Sequence, residues 1–251
     1  MKRDPSEFLR IAGIELPLIG MYDAPDKGPF EPVVEPKPGK HVCVFAFFKS
    51  WLKGQTVAFS KESFGCGGFG THIFGIRTMP KESFIDFLYG REGLKASREL
   101  MEEWIDSMDC YEPGNEFILV GPVNESQYDY LRTVTFFVNP DQLSLMVYAV
   151  HYHAAPGDPV PMKAPFDSGC GQLLSGFDDL SIPQAMLGAT DIAMRQFMPP
   201  GILALTVTKP MFERICSLGE DSFLHKPFWR DLVKSREGQE TIPEIQTEVN
   251  P

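Results

Sequence analysis

A single cysteine stands among glycines in the segment FSKESFGCGGFGTHIFG, residues 59–75. Its central run, GCGGFG (65–70), matches the pattern GxGxxG. Glycine-rich backbone before a helix presents unpaired N–H groups and the positive end of the helix dipole, which suit a phosphate, a carboxylate or a thiolate. A thiol held there would have a lowered pKa and would be a better nucleophile or metal ligand. The run therefore predicts a ligand-binding turn formed by Gly65, Cys66, Gly67 and Gly68.

A second interpretation of the same residues stays open, in which the glycines form a tight turn and Cys66 packs as a small apolar side chain. Dinucleotide binding is disfavoured, because the preceding strand ends several residues earlier and the acid at the expected distance, Asp86, lies in a predicted helix. His72, just beyond the glycines, is a candidate ligand or proton carrier. His151 and His153 end one helix on different faces, so they do not predict a joint metal site.

The five cysteines stand at positions 43, 66, 110, 170 and 216, an odd number with no CxxC pair. This arrangement disfavours a disulfide framework and predicts a reducing, cytoplasmic location. If Cys43, Cys66 and Cys170 converge on one pocket, three thiolates could hold a soft metal ion or an iron–sulfur cluster. Burial is the favoured interpretation of Cys43, which lies in an apolar run, and we expect Cys110 and Cys216 to be structural.

Composition limits the classes of partner. The 251 residues carry 23 Lys and Arg against 34 Asp and Glu, a net charge of −11. So acidic a chain lacks the positive surface of a nucleic-acid binder or of a protein that binds anionic membranes. No window is apolar enough for a membrane span, and the first residues do not resemble a secretory signal. We expect a small molecule or cofactor as the partner, while a homo-oligomer is compatible with the sequence.

The hydrophobic pattern predicts an α/β fold with a mixed, largely buried sheet flanked by helices. The clearest helix is 139–153, where Asn139 can cap, Pro140 takes the first position and Gln142 completes a capping box. Two apolar stripes along it predict burial on two faces. The other predicted helices are 4–13, 41–54, 81–90, 97–108, 168–179, 188–197 and 209–219. The predicted strands are 15–23, 55–60, 116–123, 133–138, 182–187 and 202–208, and residues 23–40 are predicted to be an extended surface loop.

The second half of the chain repeats the order of the first. Cys43 is followed by a strand and the turn at Gly65, and Cys170 by a strand and a turn at Gly188 and Ala189. This order suggests an internal pseudo-two-fold duplication. We expect one α/β domain over residues 1–234, with half-repeats at about 15–138 and 139–234. A polar tail is expected at 235–251.

Three segments resemble domain-of-unknown-function family 169. They are CVFAFFKSWLKGQTVAFSKESFGCGG, TVTFFVNPDQLSLMVYAVHY, and the cysteine at 170 with the strand, glycine turn and helix that follow it. The resemblance covers roughly residues 15–218, and NPDQ after an apolar strand is its most specific part. It implies cysteines at the positions of Cys43, Cys66 and Cys170. It also implies a cysteine where this chain has Ala189, and a glycine and an arginine where it has Asp191 and Ala193. Arg195 lies nearby but out of register.

Two functions follow as expectations. The first is a binding protein that holds a small anionic ligand or cofactor against Gly65, Cys66, Gly67, Gly68, His72 and Cys170, with the turn at Gly188 and Ala189 as the opposite wall. The second is a thiol-dependent enzyme or redox protein that holds a metal ion or an iron–sulfur cluster. A purely structural or interaction protein remains the third interpretation. No GxSxG, HExxH or Walker-A pattern points to a known reaction, and the sequence identifies no particular cofactor.

Overall fold

The computed structural model describes residues 4–64, 80–107, 111, 114–159, 161–166, 168–173, 176–177 and 179–236. Within them eight strands form a single sheet. In chain order the strands are β1 (Ile19–Ala24), β2 (Val33–Val34), β3 (Thr56–Phe59), β4 (Phe117–Pro122), β5 (Leu131–Val138), β6 (Met162–Lys163), β7 (Ala185–Gly188) and β8 (Leu203–Thr208). The order across the sheet is β2-β3-β4-β1-β5-β8-β7-β6.

Seven α-helices lie within the same residues: α1 (Ser6–Ala12), α2 (Phe48–Leu52), α3 (Lys81–Ile85), α4 (Arg98–Asp106), α5 (Pro140–His151), α6 (Lys209–Cys216) and α7 (Pro227–Arg236). A π-helical segment, Asp86–Arg91, continues α3. Short 3-10 helices cover Gly28–Phe30, Val44–Phe47, Glu125–Tyr130, Gly171–Leu173, Met194–Phe197 and Phe223–His225. None of these helices is both long and apolar enough to cross a membrane.

The strand pairs follow the same pattern from each end of the sheet to its centre. The edge pairs β2/β3 and β6/β7 are parallel. The pairs β3/β4, β4/β1, β7/β8 and β8/β5 are antiparallel, and β1 and β5 meet antiparallel in the middle. The first four strands and the last four therefore have the same order and the same relative directions.

An apolar core covers each face of the sheet. A single strand contributes to both cores, because successive side chains of a strand point to opposite sides. Phe136 and Phe137 are neighbours on β5 and belong to different apolar cores. One core packs against α2, α3 and α4 and includes Trp51 and Phe137. The other packs against α1, α5 and α6 and includes Phe136 and Phe212. The predicted mixed, largely buried sheet flanked by helices is confirmed.

Helix α5 starts as the sequence predicts. The Asn139 side chain accepts a hydrogen bond from the Gln142 N–H at 2.8 Å, and the Gln142 side chain accepts one from the Asn139 N–H at 2.9 Å. The prediction of burial on two faces is wrong, since Tyr148 is 67% exposed and Tyr152 43% exposed. Both rings pack at a tilt against Phe223, with centroids 5.7 and 5.8 Å away.

Three predicted helical segments are shorter than expected, and of 188–197 only the 3-10 helix Met194–Phe197 forms. The run 41–54 does not form one helix: Cys43 has extended backbone, a 3-10 helix follows at Val44–Phe47, and α2 covers Phe48–Leu52. Of the predicted helix 168–179, the described part contains only the 3-10 helix Gly171–Leu173. An unbroken apolar run has no periodicity, so it cannot separate a continuous helix from short buried turns.

Candidate functional site

The two described cysteines of the repeated pattern lie together on the α2 side of the sheet. The Cys170 thiol donates a hydrogen bond to the Cys43 sulfur. Each cysteine directly precedes a 3-10 helix, at Val44–Phe47 and Gly171–Leu173, in the connection between an edge strand and its neighbour. We call residues 43–47 the Cys43 turn and residues 168–173 the Cys170 turn. Cys43 and Cys170 are thus neighbours in the structure, while the convergence of all three thiols on one pocket stays a prediction, because Cys66 lies outside the described residues.

The Cys43 sulfur receives several hydrogen bonds. The Cys170 thiol is the main cause that lowers the pKa of Cys43 below its ordinary value, and the backbone N–H groups of Phe45 and Ala46 add to it. Burial and the nearby negative charge of Asp191 act in the opposite direction. The net lowering favours the thiolate, the form that attacks electrophiles and binds metals.

The Cys170 turn is fixed to the sheet and within itself. Cys170 is 4% exposed. The Thr133 hydroxyl on β5 donates to the Leu173 carbonyl at 2.7 Å, and the Gly171 N–H donates to the Ser168 hydroxyl at 3.0 Å. These bonds hold the Cys170 thiol over the centre of the sheet, where it meets the Cys43 turn.

A third segment, residues 188–191 after β7, borders the thiols, and we call it the Ala189 turn. Ala189 is fully buried and has φ 58°, in the left-handed region that favours glycine. The Asp191 carboxylate accepts hydrogen bonds from the Gly169 N–H at 3.2 Å and from the Ala193 N–H at 2.9 Å. Asp191 therefore ties the Ala189 turn to the residue that precedes Cys170.

Gln172 makes a second link between the same turns. Its Nε2 donates to the Thr190 hydroxyl at 2.6 Å. The residue is 1% exposed, and its Oε1 has no hydrogen-bond partner among the described residues. Together with the Cys43 turn, these two turns form what we call the dithiol site.

Arg195 closes the Ala189 turn from the other side. Its guanidinium donates to the carbonyls of Ile202 at 2.6 Å, Pro199 at 3.0 Å and Pro200 at 3.0 Å, and to that of Ala189 at 3.4 Å. An arginine bound in this way to backbone oxygens holds a loop in place. The role of Arg195 in the described structure is therefore to shape the turn.

Two acidic residues, Asp191 and Glu92, interact next to the Ala189 turn. Partial burial, and then the charge of Asp191, raise the pKa of Glu92, whereas Arg91 lowers it. Glu92 follows the π-helical segment, an irregular form of helix that is often found at functional sites. Of these two acids, Asp191 is the one whose charge acts on Cys43.

Several predicted site residues lie outside the described residues. They are Gly65, Cys66, Gly67, Gly68 and His72, together with the structural candidate Cys110. The binding turn at 65–70 and a metal site that includes Cys66 therefore stay predictions. Within the described parts of the chain, no group of three His, Cys, Asp or Glu side chains could hold a metal ion.

The remaining candidates lie apart from the dithiol site. Cys216 ends α6 in the opposite core, where burial, followed by the charges of Asp4 and Glu213, raises its pKa to about 12. This environment agrees with its predicted structural role. His151 and His153, at the end of α5, are exposed.

Sequence reasoning did not assign a role to Asp191, Gln172 or Glu92. Asp191 was noticed only as a departure from the family pattern. Its position two residues before the Ala193 N–H is typical of an aspartate that caps a turn, and this signal could have identified it as a structural residue. Its bond to Gly169 depends on the folded chain and leaves no sequence signal.

The model of domain-of-unknown-function family 169, described as uncharacterised ArCR, matches residues 13–217. The chain belongs to this family. The match covers all eight strands of the sheet and the three turns of the dithiol site. No curated protein and no solved structure matches the chain. Because family 169 is uncharacterised, membership supplies the architecture without a reaction.

Proposed function

We propose that this protein of family 169 carries out thiol–disulfide redox chemistry with Cys43 and Cys170. One observation carries the proposal: the Cys170 thiol donates a hydrogen bond to the Cys43 sulfur. The two residues come from equivalent connections in the two halves of the sheet, so the fold itself brings these thiols together. A thiolate paired with a second thiol is the arrangement that thiol–disulfide exchange requires.

The roles of the two thiols follow from their surroundings. Cys43, with the lowered pKa, attacks one sulfur of a substrate disulfide, forms a mixed disulfide and releases the other sulfur as a thiolate. Cys170 then attacks the Cys43 sulfur, forming the Cys43–Cys170 disulfide and releasing the second substrate thiol. The protons of the protein thiols go to the released thiolates. One substrate disulfide is reduced and one protein dithiol is oxidised, so atoms and electrons balance.

The charges beside the thiols bear on the other expected functions. The charge of Asp191 disfavours a small anionic ligand beside it and also the Cys43 thiolate, but the hydrogen bond from Cys170 outweighs this effect at Cys43. The predicted binding turn at 65–70 lies outside the described residues, so this argument does not apply to the ligand that it would bind. The predicted metal site has two of its three cysteines in contact, and metal analysis of the purified protein tests it.

We infer an internal duplication from the strand order. Strands β1 to β4 and β5 to β8 have matching order, matching relative directions and a matching cysteine turn between the second and third strand of each half. This pattern supports a boundary between the repeats at residues 123–130, before β5, whereas the sequence alone suggested one at about residue 138. In this interpretation Cys43 and Cys170 are equivalent residues that meet at the pseudo-two-fold axis.

The proposal is tested by controlled oxidation. The fully reduced protein is equilibrated without oxygen against a series of ratios of oxidised to reduced glutathione. The mass of the intact protein and peptide mapping then identify any disulfide. We expect a loss of two hydrogen atoms from the protein and a peptide cross-link between Cys43 and Cys170, reversed by excess reduced glutathione.

The control variants define the outcome. Cys43→Ser and Cys170→Ser should abolish the cross-link, whereas Cys216→Ser should retain it, because Cys216 lies in the opposite core. Absence of a Cys43–Cys170 cross-link at every glutathione ratio would contradict the proposed function. Iron or zinc in stoichiometric amount in the untreated protein would instead favour the metal-binding expectation.

A further inference from the structure

The Asp191 carboxylate joins the Ala189 turn to the Cys170 turn. One oxygen accepts the N–H of Gly169, the residue before Cys170, at 3.2 Å. The other accepts the N–H of Ala193, two residues further along its own turn, at 2.9 Å. Both bonds come from backbone N–H groups, and among the described residues no cationic side chain forms a hydrogen bond with this carboxylate, so its negative charge acts on its surroundings.

We infer that Asp191 is a positioning residue that also sets the charge state of the attacking thiol, Cys43. It keeps the Cys170 turn in place, which brings the Cys170 thiol to Cys43, and its charge restrains ionisation of Cys43. The inference deepens the proposed redox function and rests on it. Asp191 thereby limits how much reactive thiolate the protein exposes when no substrate is present.

The two effects of Asp191 on Cys43 have opposite signs, and this makes them separable. The charge disfavours the Cys43 thiolate by like-charge repulsion. The hydrogen bond to Gly169 favours the thiolate indirectly, because it holds Cys170 where its thiol can donate to Cys43. Removal of the Asp191 charge alone lowers the pKa of Cys43, whereas loss of the hydrogen bond between Asp191 and Gly169 alone raises it.

Other charged and titratable groups near the site have to be considered in a pH experiment. Glu92 interacts with Asp191, and Arg91 interacts with Glu92. Arg195 lies on the 3-10 helix after the Ala189 turn, with its guanidinium bound to carbonyls. His41 precedes the Cys43 turn, with Nδ1 3.1 Å from the Phe64 carbonyl oxygen. A substitution at Asp191 leaves Arg91, Arg195 and His41 in place, whereas Asp191→Asn also removes the charge that raises the pKa of Glu92.

The test is the pH profile of Cys43 alkylation by iodoacetamide in the reduced full-length protein, quantified on the Cys43 peptide by mass spectrometry. Asp191→Asn removes the charge and keeps one oxygen that can accept an N–H. We expect the midpoint of its profile to lie at lower pH than that of the wild type, with alkylation roughly two- to fivefold faster at neutral pH. Asp191→Glu keeps the charge and should keep the wild-type midpoint.

Asp179→Asn is the matched control. Asp179 also caps the N–H two residues on, that of Ser181 at 2.7 Å, and we expect its substitution to leave the Cys43 profile unchanged. An unchanged or higher midpoint in Asp191→Asn overturns the inference, because the Asn oxygen can still accept the Gly169 N–H, so that the charge is lost while the link to the Cys170 turn is kept. If Asp191→Asn does not fold, a lowered midpoint in Asp191→Glu overturns it.

The alkylation experiment can contradict the role of Asp191 without contradicting the proposed redox function, and the reverse also holds. Alkylation uses the reduced protein and needs no disulfide, so it reports on Asp191 even if Cys43 and Cys170 never cross-link. A lower alkylation midpoint in Asp191→Asn, without a Cys43–Cys170 disulfide in the oxidation experiment, would support the electrostatic role of Asp191 and contradict the redox cycle. A cross-link with an unshifted profile would retain the cycle and reject the role of Asp191.

Discussion

Cys43 and Cys216 show how the same side chain acquires opposite properties from its surroundings. Hydrogen bonds from Cys170 and from backbone N–H groups lower the pKa of Cys43. Burial and nearby acids raise that of Cys216 to about 12. The thiolate is the reactive form of cysteine, so the difference should appear directly in reaction rates.

We predict that iodoacetamide alkylates Cys43 faster than Cys216 at pH 7 to 8 in the reduced, folded protein. The sign follows from the two pKa shifts, since at these pH values Cys43 is ionised to a larger extent. Peptide-level mass spectrometry over a time course measures both rates in one sample. The same reaction in denaturant is the control, and there the two rates should converge. A faster reaction of Cys216 in the folded protein would contradict the prediction.

Arg195 is the residue on which the Ala189 turn most depends. Arg195→Lys should lower the free energy of unfolding by about 1–3 kcal/mol, because a single ammonium cannot reach the four carbonyls that the planar guanidinium reaches. Urea unfolding measures the change. Arg214→Lys, at an exposed position of α6, is the matched control and should change stability by less than about 0.5 kcal/mol.

The sequence predicted part of the site at this scale. The repeated order of cysteine, strand and turn suggested that Cys43, Cys66 and Cys170 share a pocket, and of these Cys43 and Cys170 are neighbours in the described structure. The sequence did not predict the links between the turns, because Asp191 and Gln172 make contacts that exist only after folding. A polar residue in a turn looks the same in sequence whether it faces water or a thiol.

At the scale of the element, α5 shows a helix whose start is determined by local chemistry. Asn139→Ala removes one side of the capping box and should lower the free energy of unfolding by about 1 kcal/mol. Asn139→Asp, which still caps, should restore most of it. Ser144→Ala lies on the same helix, where the hydroxyl donates only to the Pro140 carbonyl, and is the control. Equal losses in Asn139→Ala and Ser144→Ala would contradict the role of the cap.

Helix boundaries were predicted well where caps and prolines mark them and poorly inside apolar runs. The start of α5 was predicted because Asn, Pro and Gln have defined positions in a helix N-terminus. The run that holds Cys43 was predicted as one helix, yet its aromatic side chains pack in several directions. Phe45 and Phe48 both contact Trp51 edge-on, and Phe48 also contacts Phe137. Tertiary contacts of this kind override local propensity.

At the scale of the whole molecule, one sheet carries an apolar core on each face. Phe136→Ala and Phe137→Ala each remove a buried ring, one from each core, and each should lower the free energy of unfolding by about 3–5 kcal/mol. Because β5 belongs to both cores, both variants should unfold in one transition, seen equally by circular dichroism and tryptophan fluorescence.

Phe228→Ala provides the control for these core variants. Phe228 is 91% exposed on α7, and the same change of side chain there should alter stability by less than about 0.5 kcal/mol. If one of the core variants instead showed two separate transitions, the two faces of the sheet would be independent, and the prediction of a single cooperative unit would be wrong.

The fold class could be predicted because buried strands and capped helices leave a periodic signal in the sequence. Strand order could not be predicted, because β1 pairs with β4 and β5, and this pairing depends on side chains that are far apart in the chain. The edge strands β2 and β6, with two residues each, were also missed, since so short a strand has no measurable alternation.

The shortness of these two edge strands affects how the folded protein behaves at high concentration. An edge strand normally offers a row of unpaired backbone groups to an incoming chain. In the part of the chain that the structure describes, each end of the sheet stops at two residues, Val33–Val34 on one side and Met162–Lys163 on the other. A foreign strand would find very few hydrogen bonds there. The sheet is thereby protected against polymerisation from either end, and concentrated protein should resist fibril growth for as long as it stays folded.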